Sequence, residues 1–316
     1  MIDSFGREVD YLRISVTDRC NYRCLYCMPP EGVPKRTHGE ILSLEEVAEV
    51  VRAAAGLGIR KIRLTGGEPL VRRGLPSLVR EISATSGIEE ITMTTNGSLL
   101  APMAKELKEA GLQRVNVSLD TLDADKFARV TRLGSVRDVW RGIHAAIAWG
   151  LTPLKLNVVL IGGFNDDEIP ELAGLARNHP VEVRFIELMP MLPGSGFGKE
   201  AYLPCSAVLE KVPELVSDRA DTVAQLYRFP DGQGRVGLIS PLSHQFCAGC
   251  NRLRLTADGC LKPCLHSSEE IPLKGFHGEA LEQAIRQAVN HKPRQHGALS
   301  SEELSESGRQ MNQIGG

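Results

Sequence analysis

The chain has 316 residues, 42% hydrophobic, 24% charged and only 5% aromatic, an ordinary composition for a globular fold. Its 37 Lys and Arg against 39 Asp and Glu leave a net charge of −2, which gives no general reason to expect nucleic acid as a partner. No apolar run approaches the ~20 residues of a membrane span, and residues 1–10 lack the apolar stretch of a signal peptide. The expectation is a cytoplasmic protein with no membrane partner, long enough to build its core without disulfides.

In chain order, strands are expected at residues 11–16, 59–64, 90–94, 112–118, 154–161 and 181–188, which are rich in β-branched residues and bounded by Gly, Pro or Asn. Helices fall between them. Ser43 followed by Glu46 forms a capping box, and Leu44, Val47, Val51, Ala54 and Leu57 then recur on one face until Gly56 and Gly58 stop the helix. Pro102 suits the first turn of a helix closing near Gly111. Ser135 with Asp138 opens another, lined by Val139, Ile143 and Ile147. Six strands separated by helices require parallel βα units. The first strand-to-helix turn lacks GxGxxG, so an incomplete (β/α)6 barrel fits better than a dinucleotide-binding sheet.

Arg13, Arg63, Asn116, Ser118, Lys155, Asn157, Arg184 and Glu187 sit within or at the ends of these strands. Buried charge is costly unless paired or facing a polar cavity. Each alone could be a solvated strand end. Together they favour an anion-attracting cavity of the kind that α/β barrels place at the C-terminal ends of their strands. The alternation ends after Leu188, and a functional boundary is expected near 225, giving regions 1–225 and 226–316.

The eight cysteines are clustered. In a reducing compartment such clusters hold metal more often than they form disulfides. The first set, Cys20, Cys24 and Cys27, has C-x3-C-x2-C spacing and no obvious fourth ligand. A zinc site completed by a distant residue such as His38 is one reading. A cubane iron–sulfur cluster with one open iron is the other. Cys20-Asn21-Tyr22-Arg23-Cys24-Leu25-Tyr26-Cys27 resembles the radical S-adenosylmethionine (SAM) enzymes, as does Thr65-Gly66-Gly67-Glu68-Pro69 after the second strand. The resemblance implies that SAM chelates the open iron. One electron from the cluster then cleaves it to methionine and a 5′-deoxyadenosyl radical, with Glu68 helping to orient the SAM amino group.

The second set is Cys247, Cys250, Cys260 and Cys264. Its spacing alone would also suit a four-cysteine zinc ribbon. Arg252 and Arg254, two residues apart in an extended segment, point to one face, either as a solvated pair or as a grip for a phosphate chain. With Arg63-Leu64-Thr65, Thr94-Thr95-Asn96-Gly97, Asn116-Val117-Ser118-Leu119-Asp120, Cys250-Asn251-Arg252-Leu253-Arg254 and the terminal Gly315-Gly316, the chain resembles the GTP 3′,8-cyclase family of molybdenum cofactor biosynthesis. That resemblance implies a radical SAM partial barrel over 1–225 and a C-terminal auxiliary-cluster region over 226–316. It implies two [4Fe-4S] clusters, the second on Cys247, Cys250 and Cys264. SAM would be bound by Tyr26, Gly67, Ser118 and Met189, and GTP by Arg13, Arg63, Thr94, Lys155, Arg252, Leu253 and Arg254. Gly315 and Gly316 would assist catalysis from inside the site.

The implied reaction removes hydrogen from C3′ of GTP and joins C3′ to C8 of guanine. It draws electrons from a reductant protein and passes its product to a cyclic pyranopterin monophosphate synthase. Homodimer formation stays open, and Cys205 and Cys260 have no assigned role. The competing readings are a peptide-modifying radical SAM maturase and a non-catalytic zinc-binding protein.

Overall fold

A computed structural model describes residues 1–34, 36–191, 197–220, 223–297, 299 and 304–315. The six expected strands are present as β1 (Tyr11–Ser15), β2 (Lys61–Thr65), β3 (Glu90–Thr95), β4 (Arg114–Ser118), β5 (Lys155–Leu160) and β6 (Glu182–Glu187). Neighbours in this series pair in parallel. The crossovers are carried by α1 (Leu44–Gly56), α2 (Leu75–Ser83), α3 (Leu100–Glu109), α4 (Ala124–Thr131), α5 (Val136–Ala148) and α6 (Ile169–Asn178).

The helix signals act largely as the sequence implies. Ser43 Oγ accepts from the Glu46 amide at 3.1 Å and Glu46 Oε2 accepts from the Ser43 amide at 2.6 Å, which satisfies two otherwise orphaned donors. Gly58, at φ +98°, turns the chain out of α1. Ser135 precedes α5 but its hydroxyl makes no capping bond.

Two further parallel strands extend the six. β7 (Val216–Ala220) and β8 (Gln225–Arg228) lead into β9 (Arg235–Ile239), which pairs in parallel with β6. At the other flank, β10 (Arg252–Leu255) pairs in parallel with β1 and continues into antiparallel β11 (Cys260–Lys262) and β12 (Ile271–Pro272). The sheet therefore has two free edges, β12 and β7. It curves enough that Ile239 on β9 and Arg254 on β10 line one cavity.

The two faces of this sheet differ in chemistry. One phase of each strand carries apolar residues, such as Leu12 and Ile14, Ile62 and Leu64, Val115 and Val117, and Val183 and Phe185, all fully buried in the core. Val47, Val51 and Ala54 of α1, Leu107 of α3, and Val139 and Ile143 of α5 belong to that core. The other phase, Arg13, Arg63, Thr94, Asn116, Ser118, Lys155, Asn157 and Arg184, is polar and falls at alternate positions as strand geometry requires. Glu187 is the exception. It is fully buried, and its carboxylate accepts from the amides of Cys205 (3.2 Å), Leu242 (2.9 Å) and Ser243 (3.1 Å), so it ties loops together.

α7 (Ser206–Lys211) between β6 and β7, and α8 (Gly278–Asn290) and the short α9 (Met311–Ile314) after β12, complete the α-helices among the described residues. α8 packs on α1. The tail returns to the barrel: Asn312 Nδ2 donates to Asp18 O at 3.1 Å, and Arg254 Nη1 donates to Gly315 O.

Candidate active site

The loop after β1 carries Cys20, Cys24 and Cys27, and all three line the main cavity together with Tyr26. The segment that follows β2 holds this loop. Gly67 N donates to Thr17 O and Glu68 N to Arg19 O, each at 2.8 Å. A Cβ at Gly66, where φ is +149°, would lie 2.4 Å from Thr17 O; one at Gly67 would lie 2.3 Å from Arg19 O. Both positions therefore demand glycine because backbone packs on backbone, and Gly67 remains exposed to the cavity. Glu68 turns away from the cavity. Its carboxylate accepts from the amides of Leu70 (3.0 Å) and Asn96 (2.7 Å) and from Thr95 Oγ1 (2.8 Å), while burial pushes it up to about 7.

The three thiols sit in an apolar and acidic setting. Burial pushes Cys20 up to about 11 and Cys27 up to about 12, and burial with neighbouring Cys27 and Asp120 holds Cys24 well above the usual range. Tyr26 donates its hydroxyl to Asp120 Oδ2 at 2.6 Å, and Asp120 Oδ1 accepts from the Val159 amide at 2.9 Å. These are three free thiols on one loop facing one cavity, a donor set that fits a cubane with an open iron. The side chain of His38, the alternative zinc ligand, lies outside the described part of the structure.

The cavity continues into the barrel, where strand register aligns cations. Arg254 on β10 pairs with Arg13 on β1, which pairs with Arg63 on β2. All three line the cavity, with Arg184 from β6. Burial and the facing Arg254 pull Arg13 well below the ordinary guanidinium range, and burial with Arg252 pulls Arg254 down to about 10. Like charges gathered out of water favour an anionic ligand that neutralises them. Thr94 Oγ1 and Asn157 Oδ1 also line this space, buried and without hydrogen-bond partners among the described residues. Such orphaned groups fit a polar ligand.

A second cavity adjoins the first, sharing Ile186, Met189, Ile239, Arg254 and Leu265 with it. Cys247, Cys250 and Cys264 all line it, with Arg252 held over the Phe246 ring at 5.2 Å. Its electrostatics are opposite to those of the first set. Burial works against the Cys250 thiolate, but Arg252 and Lys292 outweigh it and hold the thiol down to about 6. Cys260 is absent from this lining; its thiol is pushed up by burial, Asp258 and Glu270. Cys205 is buried in the core, its thiol against the carbonyls of Phe185 and Ile239.

The expected site residues thus divide. Tyr26, Gly67, Ser118, Met189, Arg13, Arg63, Thr94 and Arg254 converge on the main cavity, and Arg252 borders its extension. Lys155 stands on the inner face of β5 but outside the cavity lining, paired with Glu182 at 3.1 Å. Leu253 faces the opposite way from its arginine neighbours and is buried beside Leu12 and Leu261, so only its backbone is available to a ligand. Gly315 reaches the barrel, and Gly316 lies outside the described residues. Sequence reasoning counted Arg184 and Asn157 towards a polar cavity without giving either a ligand, and left Asp120 and Asn312 without a role; all four line the cavity. Inner-face alternation points to Arg184 and Asn157; nothing local points to Asn312.

Comparison with known proteins adds identity to this geometry. The Radical SAM superfamily matches residues 14–176, and the Molybdenum Cofactor Synthesis C family matches residues 181–298. A GTP 3′,8-cyclase of Peptoclostridium acidaminophilum is 52% identical over 100% of this chain and 98% of its own length. That of Pelotomaculum thermopropionicum is 51% identical over the full length of both. Among solved structures, Streptococcus suis SuiB bound to S-adenosylmethionine superposes with a TM-score of 0.64 at 16% identity, covering 88% of this chain and 68% of SuiB. That last likeness concerns the fold alone.

Proposed function

The chain belongs to the radical SAM superfamily and, along its whole length, to the GTP 3′,8-cyclases of molybdenum cofactor biosynthesis, and from this we propose how its residues share out the cyclisation of GTP. A [4Fe-4S] cluster and SAM are the superfamily's equipment. Cys20, Cys24 and Cys27 would hold the cluster, which would supply the electron for the reductive cleavage of SAM that starts removal of hydrogen from C3′ of GTP. The product, with C3′ joined to C8, is 3′,8-cyclo-7,8-dihydro-GTP.

The row Arg254–Arg13–Arg63 carries the assignment, because it presents three guanidiniums to a cavity bordered on both sides by thiol triads. Guanidinium forks match phosphate oxygens, so Arg13, Arg63, Arg252 and Arg254 grip the triphosphate and Lys155 adds its charge from the neighbouring inner face. Thr94 offers its free hydroxyl to the nucleotide. Leu253 contributes backbone only. Tyr26, Gly67, Ser118 and Met189 hold SAM, and the Tyr26–Asp120 bond fixes the ring edge beside Cys27. Cys247, Cys250 and Cys264 would hold a second [4Fe-4S] cluster, at the guanine end of the nucleotide. Pinning GTP between the two sets restricts a reactive radical to one hydrogen, the benefit of orientation.

Residues 1–225 form the SAM-binding unit and 226–316 the auxiliary-cluster unit, with Gly315 reaching the site. Thiolate-held clusters belong in a reducing compartment, hence the cytoplasm, where a reductant protein delivers electrons and a cyclic pyranopterin monophosphate synthase takes the product. Anaerobic purification tests the scheme. About eight irons per chain are expected for two cubanes, with deoxyadenosine formed from SAM only when GTP and a reductant are present. A colourless, zinc-loaded protein, or SAM cleavage indifferent to GTP, would overturn it.

A further inference from the structure

Lys292 follows the C-terminus of α8 and is only 3% exposed. A buried ammonium survives where its protons are satisfied, and Lys292 spends them around the second thiol set. Its Nζ lies 3.3 Å from Cys250 Sγ, 2.8 Å from Arg252 O and 3.0 Å from Pro263 O. The first two partners belong to the Cys250 segment, and the third precedes Cys264. One cation therefore ties two ligand-bearing segments together and donates to a ligand sulfur. The turn that carries it is itself pinned. Arg7 donates to Pro293 O at 2.7 Å, to Arg294 O at 3.0 Å and to Cys247 O at 2.9 Å. All three auxiliary cysteines are thus braced by the 292–294 turn and its partner.

We propose that Lys292 is a positioning residue of the auxiliary cluster, which it holds by its contacts and whose reduction potential it raises through the N–H···S bond to Cys250. The inference rests on the two-cluster reading above. Reduction adds one electron, and no proton, to a cluster already carrying three thiolates. A fixed cation donating to one of those sulfurs stabilises the more negative state, as hydrogen bonds to cluster sulfurs do generally. The protons of Lys292 go to Cys250 Sγ, Arg252 O and Pro263 O, which leaves none for GTP or SAM.

The test is a redox titration, with dithionite and mediators, of the full-length iron-loaded protein, followed by electron paramagnetic resonance. Cys20, Cys24 and Cys27 are replaced by Ala in the background so that only the auxiliary signal remains. Lys292→Met keeps the apolar stem and removes the donor. Its reduced-to-oxidised ratio at fixed potential is expected to fall at least about tenfold, a shift of about 59 mV for one electron, with Lys292→Arg restoring the parent value in part. Selective loss of auxiliary iron in Lys292→Met, reversed in Lys292→Arg, would support the same contact. Should the Met variant not fold, Lys292→Gln is read in its place. An unchanged midpoint at full loading overturns the inference. A cysteine-replaced parent holding almost no iron, with no auxiliary signal, would instead overturn the two-cluster reading beneath it.

Discussion

Gly315→Ala is the most incisive perturbation of the tail. Gly315 has φ +71°, and a Cβ built there would lie 2.0 Å from Thr65 Oγ1 and 3.1 Å from Thr65 Cβ. Thr65 has little room to turn aside, being 2% exposed with its hydroxyl donating to Ile14 O at 3.2 Å. The tail must then retreat, and Arg254 loses its bond to Gly315 O. A non-glycine residue at positive φ costs about 1–2 kcal/mol, and overpacking a filled site costs about 1–3 kcal/mol more. The docked tail is thus disfavoured by roughly 2–5 kcal/mol, and at about 1.4 kcal/mol per tenfold the lower figure alone means a drop of roughly 30-fold in any activity that requires docking. The cysteines lie upstream, so iron content should match the parent. Product formation from GTP is compared anaerobically at equal iron. A Gly315→Ala enzyme turning over within about threefold of the parent would refute the reasoning, because a steric clash of this size cannot leave a required contact intact.

Two further outcomes follow from the same geometry. Cys260→Ala should keep the auxiliary iron and Cys264→Ala should lose it, since Cys264 lines the second cavity and Cys260 does not; equal metal loss in the two variants, measured by iron analysis, would point to a four-cysteine site. Burial, with Arg184 nearby, pulls Lys155 down to about 8. Below that pH it is charged and attracts a triphosphate, so GTP affinity measured by equilibrium binding should fall as pH rises through 8, and Lys155→Met should remove that part of the fall.

The six-strand core was legible because each strand is a local run rich in β-branched residues and bounded by Gly, Pro or Asn. A polar interior could be anticipated from the number of polar residues in those strands, and strand alternation puts Arg13, Arg63, Asn157 and Arg184 on its face. What escaped was non-local. β10 pairs with β1 across more than two hundred residues of chain, and no pattern within Arg252–Leu255 names its partner strand. Leu253 was drawn into the GTP set by its neighbours in the motif, although strand alternation already turns its side chain the other way. Lys292 and Asn312 lie outside every sequence motif and acquire meaning only through what folds against them. Glu187 resembled its polar neighbours, yet its odd strand position gives it a loop-tying role.

The β1–β10 register also fixes the separation of the two thiol sets along this pair. The strands run parallel with Tyr11 opposite Arg252, and the Tyr11 amide donates to Asn251 O at 3.2 Å. Cys250 therefore sits where β1 begins, whereas Cys20 lies beyond the point where it ends. β11 runs antiparallel to β10, so the chain returns towards the Cys250 end before reaching Cys264. At ~3.3 Å per residue, the stretch from Tyr11 to Ser15 alone interposes about 13 Å between the two sets. Arg13 and Arg254 occupy the middle of that stretch, opposite each other. A register slip of one residue would change the spacing by ~3.3 Å and turn the arginine row out of the cavity at once. The spacing of the two thiol sets and the placement of the arginine row are therefore one structural variable, set by backbone pairing. Substitutions that preserve every ligand but weaken the Leu12–Leu253 core contact that holds this pairing would impair both together.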